Sequence, residues 1–438
     1  MVNAEKIFWT HINVELFEKK VKENGFNLLM LKEIKENPSQ NGVTLKNLRL
    51  DEVYQGVELY DVCIYNICND LEIFKNELCI NVHSKTIAKW YNIARKTIDF
   101  LKDILREEKV VGAIIFHGHL LFDACLLTLC KKYEIKYLTL EITAHRNKLV
   151  WDNLSGFVVS YNLAKNYFYK YTLEPRFIEE AKSYCQKYLR NINTYKSLEH
   201  SSKSQTNFEN PFFPKPYVLF LCQVYNDASQ LFTLEGDLNN PISIINAVSQ
   251  ISREMDTNVI IKIHPKEKNG KNPITRKPYR EPTFLKLKEL DSTSHIFIDR
   301  NNDLNTYDLI KKATVVVTVN SQAGLESAIY NKPVLSYYKG FFAGLGFTYD
   351  YSDLKSLRFK LKSLLEDNIL KNRNLNAARS FFFIFNEYYC IEKTENALYS
   401  KIVESFELRT PLSFKVYYFI KTKTYPFRHG FKKKLHKA

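Results

Sequence analysis

At 438 residues the chain has room for two or three domains, and its 45% hydrophobic and 25% charged residues are the balance of an ordinary soluble globular protein. No apolar run approaches the ~18–20 residues that cross a bilayer, which excludes a membrane-spanning helix. The net charge of +15 points to an anionic partner, and nucleic acid, phosphosugar and lipid headgroup all qualify.

The first residues, MVNAEKIFWTHINVE, lack the basic and apolar regions of a signal peptide, so the chain is expected in the cytoplasm. Its eight cysteines form no CxxC pair and no cluster with zinc spacing, which fits reduced, buried thiols. In chain order, Asn27–Leu31 and Val62–Asn66 are expected as short strands. Ser84–Lys109 repeats Ile87, Tyr91, Ala94, Ile98, Leu101 and Leu105 at helical spacing. Val110–Phe116 follows as a buried strand, Leu120–Lys132 as a helix and Lys136–Glu141 as a strand. That strand–helix–strand order implies a parallel sheet. Glu174–Leu198 is expected to be helical. Glu199–Pro216, polar and then proline-rich, reads as a linker.

A second α/β unit begins at the strand Tyr217–Leu221, and Asn240-Pro241 opens a helix to Met255. The strands Asn258–Ile263 and Thr314–Val319 stop at His264-Pro265 and Asn320-Ser321. The helix Gln322–Tyr330, the strand Val334–Tyr338 and the glycines Gly340, Gly344 and Gly346 come next. Leu354–Asp367 and Asn374–Ser405 read as helical. No acid follows Glu407, whereas bases run from Arg409 to Lys432-Lys433-Lys434 and Lys437, interleaved with Tyr and Phe. Such a tail is expected either to rest on an anionic leaflet, at roughly 1 kcal/mol per basic residue, or to stay solvated or packed on the body.

A parallel sheet places ligands at the carboxyl ends of its strands, beside helix N-termini whose N–H groups and dipole suit a phosphate. His264, Pro265, Lys266, Asn320 and Ser321 fall at that edge. His264 is a candidate phosphate or ribose ligand, Lys266 a phosphate partner or a solvated lysine, and Ser321 a helix cap that also frames a phosphate cradle. Gly324 allows close approach of backbone to ligand or of helix to sheet. Glu326 either accepts from ribose hydroxyls or complements the helix dipole. Gln223, Asn226, Asp227 and Ser229 follow the first strand of this unit, as donor-site groups or as a capped polar turn. In the first unit Glu141 is the candidate general base or acceptor ligand, with Asp152 and His117 as alternatives. His117-Gly118-His119 has no zinc spacing, and no metal is expected.

The run LCQVYNDASQ from Leu221, together with KIHPK from Lys262, TVNSQAGLE from Thr318, NKPV from Asn331 and the glycine loop to Thr348, resembles bacterial capsular polysaccharide biosynthesis proteins of the β-Kdo transferase type. The likeness covers roughly residues 215–350. Leu140-Glu141, then Asp152 and Gly156, is similar to the acidic segment of that family's first domain. The resemblance implies an α/β fold of two Rossmann-like domains facing across a cleft (GT-B) with C-terminal helices. It implies an acceptor domain at 1–205, a linker at 206–216, a nucleotide-sugar domain at 217–390, and a helix and basic-aromatic tail at 391–438. It further implies a CMP-sugar such as CMP-Kdo as co-substrate, a glycan or lipid-linked acceptor at the inner membrane face, and no cofactor. A CMP-sugar carries one phosphate, which lowers the need for metal. Three other readings remain: a UDP- or GDP-sugar enzyme or epimerase, a non-catalytic assembly or export protein on the same fold, and a nucleic-acid-binding protein. Charge alone supports the last, and the tail has no recognised nucleic-acid motif.

Overall fold

The computed structural model describes residues 26–30, 48–107, 110–143, 147–155, 162–171, 174–192, 216–290, 295–301, 303–366, 374–406 and 414–418. Gly156, nearly all of the linker and most of the basic tail lie outside these residues.

Fourteen strands are described: β1 Phe26–Met30, β2 Val53–Tyr54, β3 Val57–Glu58, β4 Val110–Phe116, β5 Lys136–Ile142, β6 Lys148–Asp152, β7 Tyr217–Leu221, β8 Asn258–Lys262, β9 Ile296–Asp299, β10 Val315–Thr318, β11 Val334–Tyr337, β12 Tyr349–Tyr351, β13 Ile391–Glu392 and β14 Phe414–Tyr418. They form two six-stranded sheets, with β2 and β3 as a small hairpin. The second sheet is parallel throughout, in the order β12-β11-β10-β7-β8-β9. Numbered from β7, that is the Rossmann order, with its switch point between β7 and β10. Both of these strands are buried along their length, as strands covered by helices on two faces must be.

The first sheet runs β1-β14-β4-β5-β6-β13. Its β4 and β5 are parallel, as their sequence pattern predicts, but β6 turns back antiparallel to β5, and β13 is antiparallel to β6. The unit is therefore Rossmann-like with a mixed edge. Val62–Asn66 is not a strand. It lies within the helix Leu59–Leu71, whose apolar residues are buried with those of the helix Ile80–Glu107 in one core. A five-residue window of β-branched and aromatic residues cannot distinguish a buried helix turn from a strand. The expected helix Asn374–Ser405 is two helices, Leu375–Ile384 and Glu395–Phe406, separated by a π-helical turn and β13. Within the tail, the backbone of β14 lies in the first sheet between β1 and β4.

The domains are not insulated from each other. One core cluster joins β5, β6 and the helix Arg176–Arg190 to β7, β10 and the helices Gln322–Ile329 and Leu375–Ile384. A second cluster fills the other face of the parallel sheet beneath Pro241–Glu254 and Leu354–Leu365. Seven of the eight cysteines are buried and free, and Cys79 is exposed. No helix among the described residues is long and apolar enough to cross a membrane.

Candidate active site

Two carboxyl edges meet. On the first sheet, Phe116 pairs with Leu140, and His117 N–H donates to Leu140 O at 2.9 Å. That register sets His117 beside Glu141, with Nδ1 3.2 Å from Oε1. His117 sits at φ +69° and Gly118 at +76°, so the chain turns sharply off β4. A non-glycine residue held there costs on the order of 1–3 kcal/mol, a pattern concentrated at functional sites. The His119 ring packs 4.3 Å from Tyr65 of the helix Leu59–Leu71 and 5.2 Å from His117. Burial pushes the Glu141 carboxyl up, but His117, His119 and Lys266 outweigh it and hold it below the usual glutamate value. Lys266 belongs to the second domain, so the two edges face each other electrostatically.

On the second sheet, His264 caps the helix Pro265–Asn269, and its Nδ1 accepts from Lys266 N–H at 3.1 Å. In the neutral ring that bond puts the proton on Nε2, making Nε2 a donor. Lys266 is exposed, whereas Glu267 beside it is fully buried. Glu267 accepts from Tyr225 N–H, Thr283 N–H and Thr283 O–H, at 2.7, 3.1 and 2.7 Å. Burial pushes its carboxyl up to about 7, against the pull of these donors. Glu267 fixes the turn after β8 to the loop after β7. Nothing in its sequence context distinguishes it from the neighbouring solvated Lys266 and Lys268.

Gln223 bridges the switch point. Its Oε1 accepts from Asn320 N–H at 3.0 Å, and its Nε2 donates to Ser229 Oγ at 2.6 Å. Ser229 Oγ donates in turn to Asp227, which caps the helix Ala228–Thr233. Burial raises the Asp227 carboxyl, Ser229 opposes this, and Glu141 across the cleft raises it further. Asn320 Oδ1 accepts from Phe341 N–H at 2.6 Å, which fastens the glycine loop to the same edge. That loop is a fixed turn: Gly344 and Gly346 have φ +80° and +78°, Gly344 N–H donates to Asp350, and Lys165 of the first domain donates to Gly340 O at 3.3 Å.

The structure assigns several expected ligands to the scaffold. Asn226 is buried and donates to Asn69 of the first domain, where Asn272 also donates to Asn69 O at 2.6 Å. With Gln223 and Ser229 it holds the edge in shape instead of pointing at a donor. Glu326 is completely buried and accepts from Tyr188 O–H at 2.8 Å and Tyr307 O–H at 3.2 Å, so its reading as a ribose ligand is corrected. The helix it sits on places it one turn inward, facing the core instead of the crevice. Gly324 serves helix–sheet packing, because a Cβ there would lie 2.6 Å from Thr318 Cγ2 and 3.1 Å from Phe342 Cζ. Asp152 is also corrected. It is fully buried and accepts from Leu154 and Ser155 N–H. Because β6 runs antiparallel, Asp152 pairs with Thr139, away from the Glu141 end of β5. His117, Glu141, His264, Lys266, Asn320 and Ser321 remain at the facing edges, with Ser321 capping Gln322–Ile329 through Ala323 N–H. Sequence reasoning passed over Tyr65, Lys165 and Glu267.

These features define a two-domain α/β protein of GT-B type with a crevice at the switch point of its second sheet. The family model for capsule polysaccharide biosynthesis proteins matches residues 161–378, and over that stretch the chain is similar to that family. No curated protein sequence matches it. Among solved structures it is similar to the β-Kdo 2,4 transferase KpsC of Thermosulfurimonas dismutans, at 16% identity over 67% of this chain and 86% of that one, with a TM-score of 0.47. The β-Kdo 2,7 transferase KpsC of the same organism gives 17% identity, 69% and 88% coverage, and a TM-score of 0.40. MnaA of S. aureus, solved with UDP, gives 15%, 82% and 89%, and 0.36.

Proposed function

We propose that this protein is a capsule-biosynthesis glycosyltransferase that moves a sugar from a CMP-activated donor, of which CMP-Kdo is the leading candidate, to a hydroxyl of a glycan or glycolipid. What supports the reading is the Glu141–His117 pair at the carboxyl edge of the first sheet, with Lys266 of the second domain lowering the Glu141 pKa and His264 and Ser321 capping helices at that domain's carboxyl edge. In the step, the acceptor oxygen forms the new bond to the anomeric carbon as the bond to the CMP phosphate breaks. The acceptor proton passes to Glu141, held below its usual pKa and therefore ionised at neutral pH. His264, Lys266 and the N–H groups at the start of Gln322–Ile329 would stabilise the departing phosphate. Holding donor and acceptor together in the cleft would supply much of the rate.

A thermal-shift screen against CMP, CDP, UDP, GDP and AMP tests the donor class. CMP at about 100 times its Kd is expected to add roughly 2.7 kcal/mol of stability, and His264→Ala is expected to abolish that shift. A response to UDP or GDP alone would overturn the CMP assignment, and no response to any nucleotide would overturn the transferase reading.

We also place the reaction at the inner membrane face. The support is the run of bases without acids after Glu407. The full chain is expected to sediment with vesicles containing anionic lipid and to lose that binding in high salt or when cut after Ile420, at roughly 1 kcal/mol per basic residue removed from the surface. Equal sedimentation of the cut chain would sink the idea.

A further inference from the structure

We propose that His117, His119 and Glu141 form a binding site for one divalent first-row transition-metal ion of the zinc class. The ligand-capable atoms of these three side chains all lie within 4.8 Å of one another. Three features of the fold place them there. The parallel register of β4 and β5 sets His117 beside Glu141, and the 2.9 Å bond from His117 N–H to Leu140 O fixes that spacing. The left-handed turn at His117 and Gly118 keeps both histidines at one strand end. Ring packing then holds the imidazoles, His117 against Phe116 at 4.2 Å and His119 against Tyr65 at 4.3 Å.

The donor set selects the metal. Two imidazoles and one carboxylate suit zinc, cobalt, nickel or ferrous iron, whereas magnesium and calcium prefer oxygen alone. Metal–nitrogen and metal–oxygen bonds of about 2.0–2.2 Å require the three atoms to draw together by small side-chain rotations. His117 and Glu141 are each partly exposed, with 21% and 27% of their side-chain surfaces accessible, so an ion can enter from the cleft. Three protein ligands leave a coordination position open, as in metal sites that also hold water or substrate. Two histidines one residue apart carry no metal signal along the chain, because the third ligand is missing until β5 supplies Glu141. The assignment does not depend on the donor nucleotide. An ion here takes the Glu141 lone pair that the transfer reading gives to the acceptor proton, so a metal-loaded site and a proton-accepting Glu141 are alternative states of one cluster.

The test uses the full chain, stripped with chelator and titrated with Co²⁺ and Zn²⁺, read by Co²⁺ visible absorption and calorimetry. One equivalent is expected to bind, with a Co²⁺ band that Zn²⁺ displaces. Glu141→Gln and His117→Gln are each expected to weaken binding about 10-fold or more, while His264→Ala leaves it unchanged. Circular dichroism confirms that each variant is folded, and Glu141→Gln and His117→Gln are also expected to keep the nucleotide response. Absence of a bound equivalent overturns the proposal. So does binding that Glu141→Gln and His117→Gln leave intact, or that His264→Ala abolishes, because the ion would then sit on other histidines.

Discussion

Glu141→Gln is expected to lower kcat by about 10²–10⁴-fold while leaving the donor KM nearly unchanged. The substitution keeps the size of the side chain and removes its charge. Glu141 is paired with His117 at 3.2 Å, and its side chain is only 27% exposed, so its orientation is set before any acceptor arrives. The amide cannot take a proton in the same way, whereas His264, Lys266 and Ser321, the groups proposed to hold the phosphate, are untouched. That separation predicts an effect on the chemical step and not on nucleotide binding. His117→Gln is expected to show a smaller loss, because His117 acts through Glu141 by holding it in place. The measurement is transfer from the donor that the thermal-shift screen identifies, with full saturation curves for each variant. Unchanged kcat in Glu141→Gln would remove Glu141 from the reaction and leave His117 as the acid–base candidate at this edge.

Glu326→Leu is expected to cost about 2–5 kcal/mol of stability. Tyr188 and Tyr307 both donate to this fully buried carboxylate from different elements, the helix Arg176–Arg190 and the helix Thr306–Lys312. Burial pushes both phenols up, and the carboxylate beside them pushes them further. The single substitution strands two hydroxyls in the shared core, where each lost partner costs about 1–3 kcal/mol. Adding Tyr188→Phe and Tyr307→Phe removes those hydroxyls, and the triple variant is expected to recover part of the loss. Chemical denaturation of the wild-type protein, Glu326→Leu and the triple variant measures this, with the nucleotide thermal shift recorded alongside. A stable Glu326→Leu protein that no longer answers to nucleotide would reverse the assignment and return Glu326 to the ribose.

The two carboxylates show how differently a sequence reveals function. Glu141 ends an apolar, alternating strand, and Glu326 follows a capped helix start, so both look equally placed for chemistry along the chain. Their burial separates them, and burial depends on which helix covers which face.

What the sequence determined is local. The strands β4, β7 and β11 and the helices on either side are visible because their periodicities, their asparagine, aspartate and serine caps, and their prolines act over a few residues. The stops at His264-Pro265 and Asn320-Ser321 likewise mark the carboxyl edge of a parallel sheet wherever the strands finally lie. The tertiary structure decided what depends on distant pairing. It reversed β6 and so carried Asp152 away from the cleft, turned Val62–Asn66 into helix, and drew Asn226 onto Asn69. It also brought His119 to His117 and Glu141, because adjacent parallel strands set side by side residues that the chain separates by a whole helix. Register and packing are global properties, and no window of the sequence contains them.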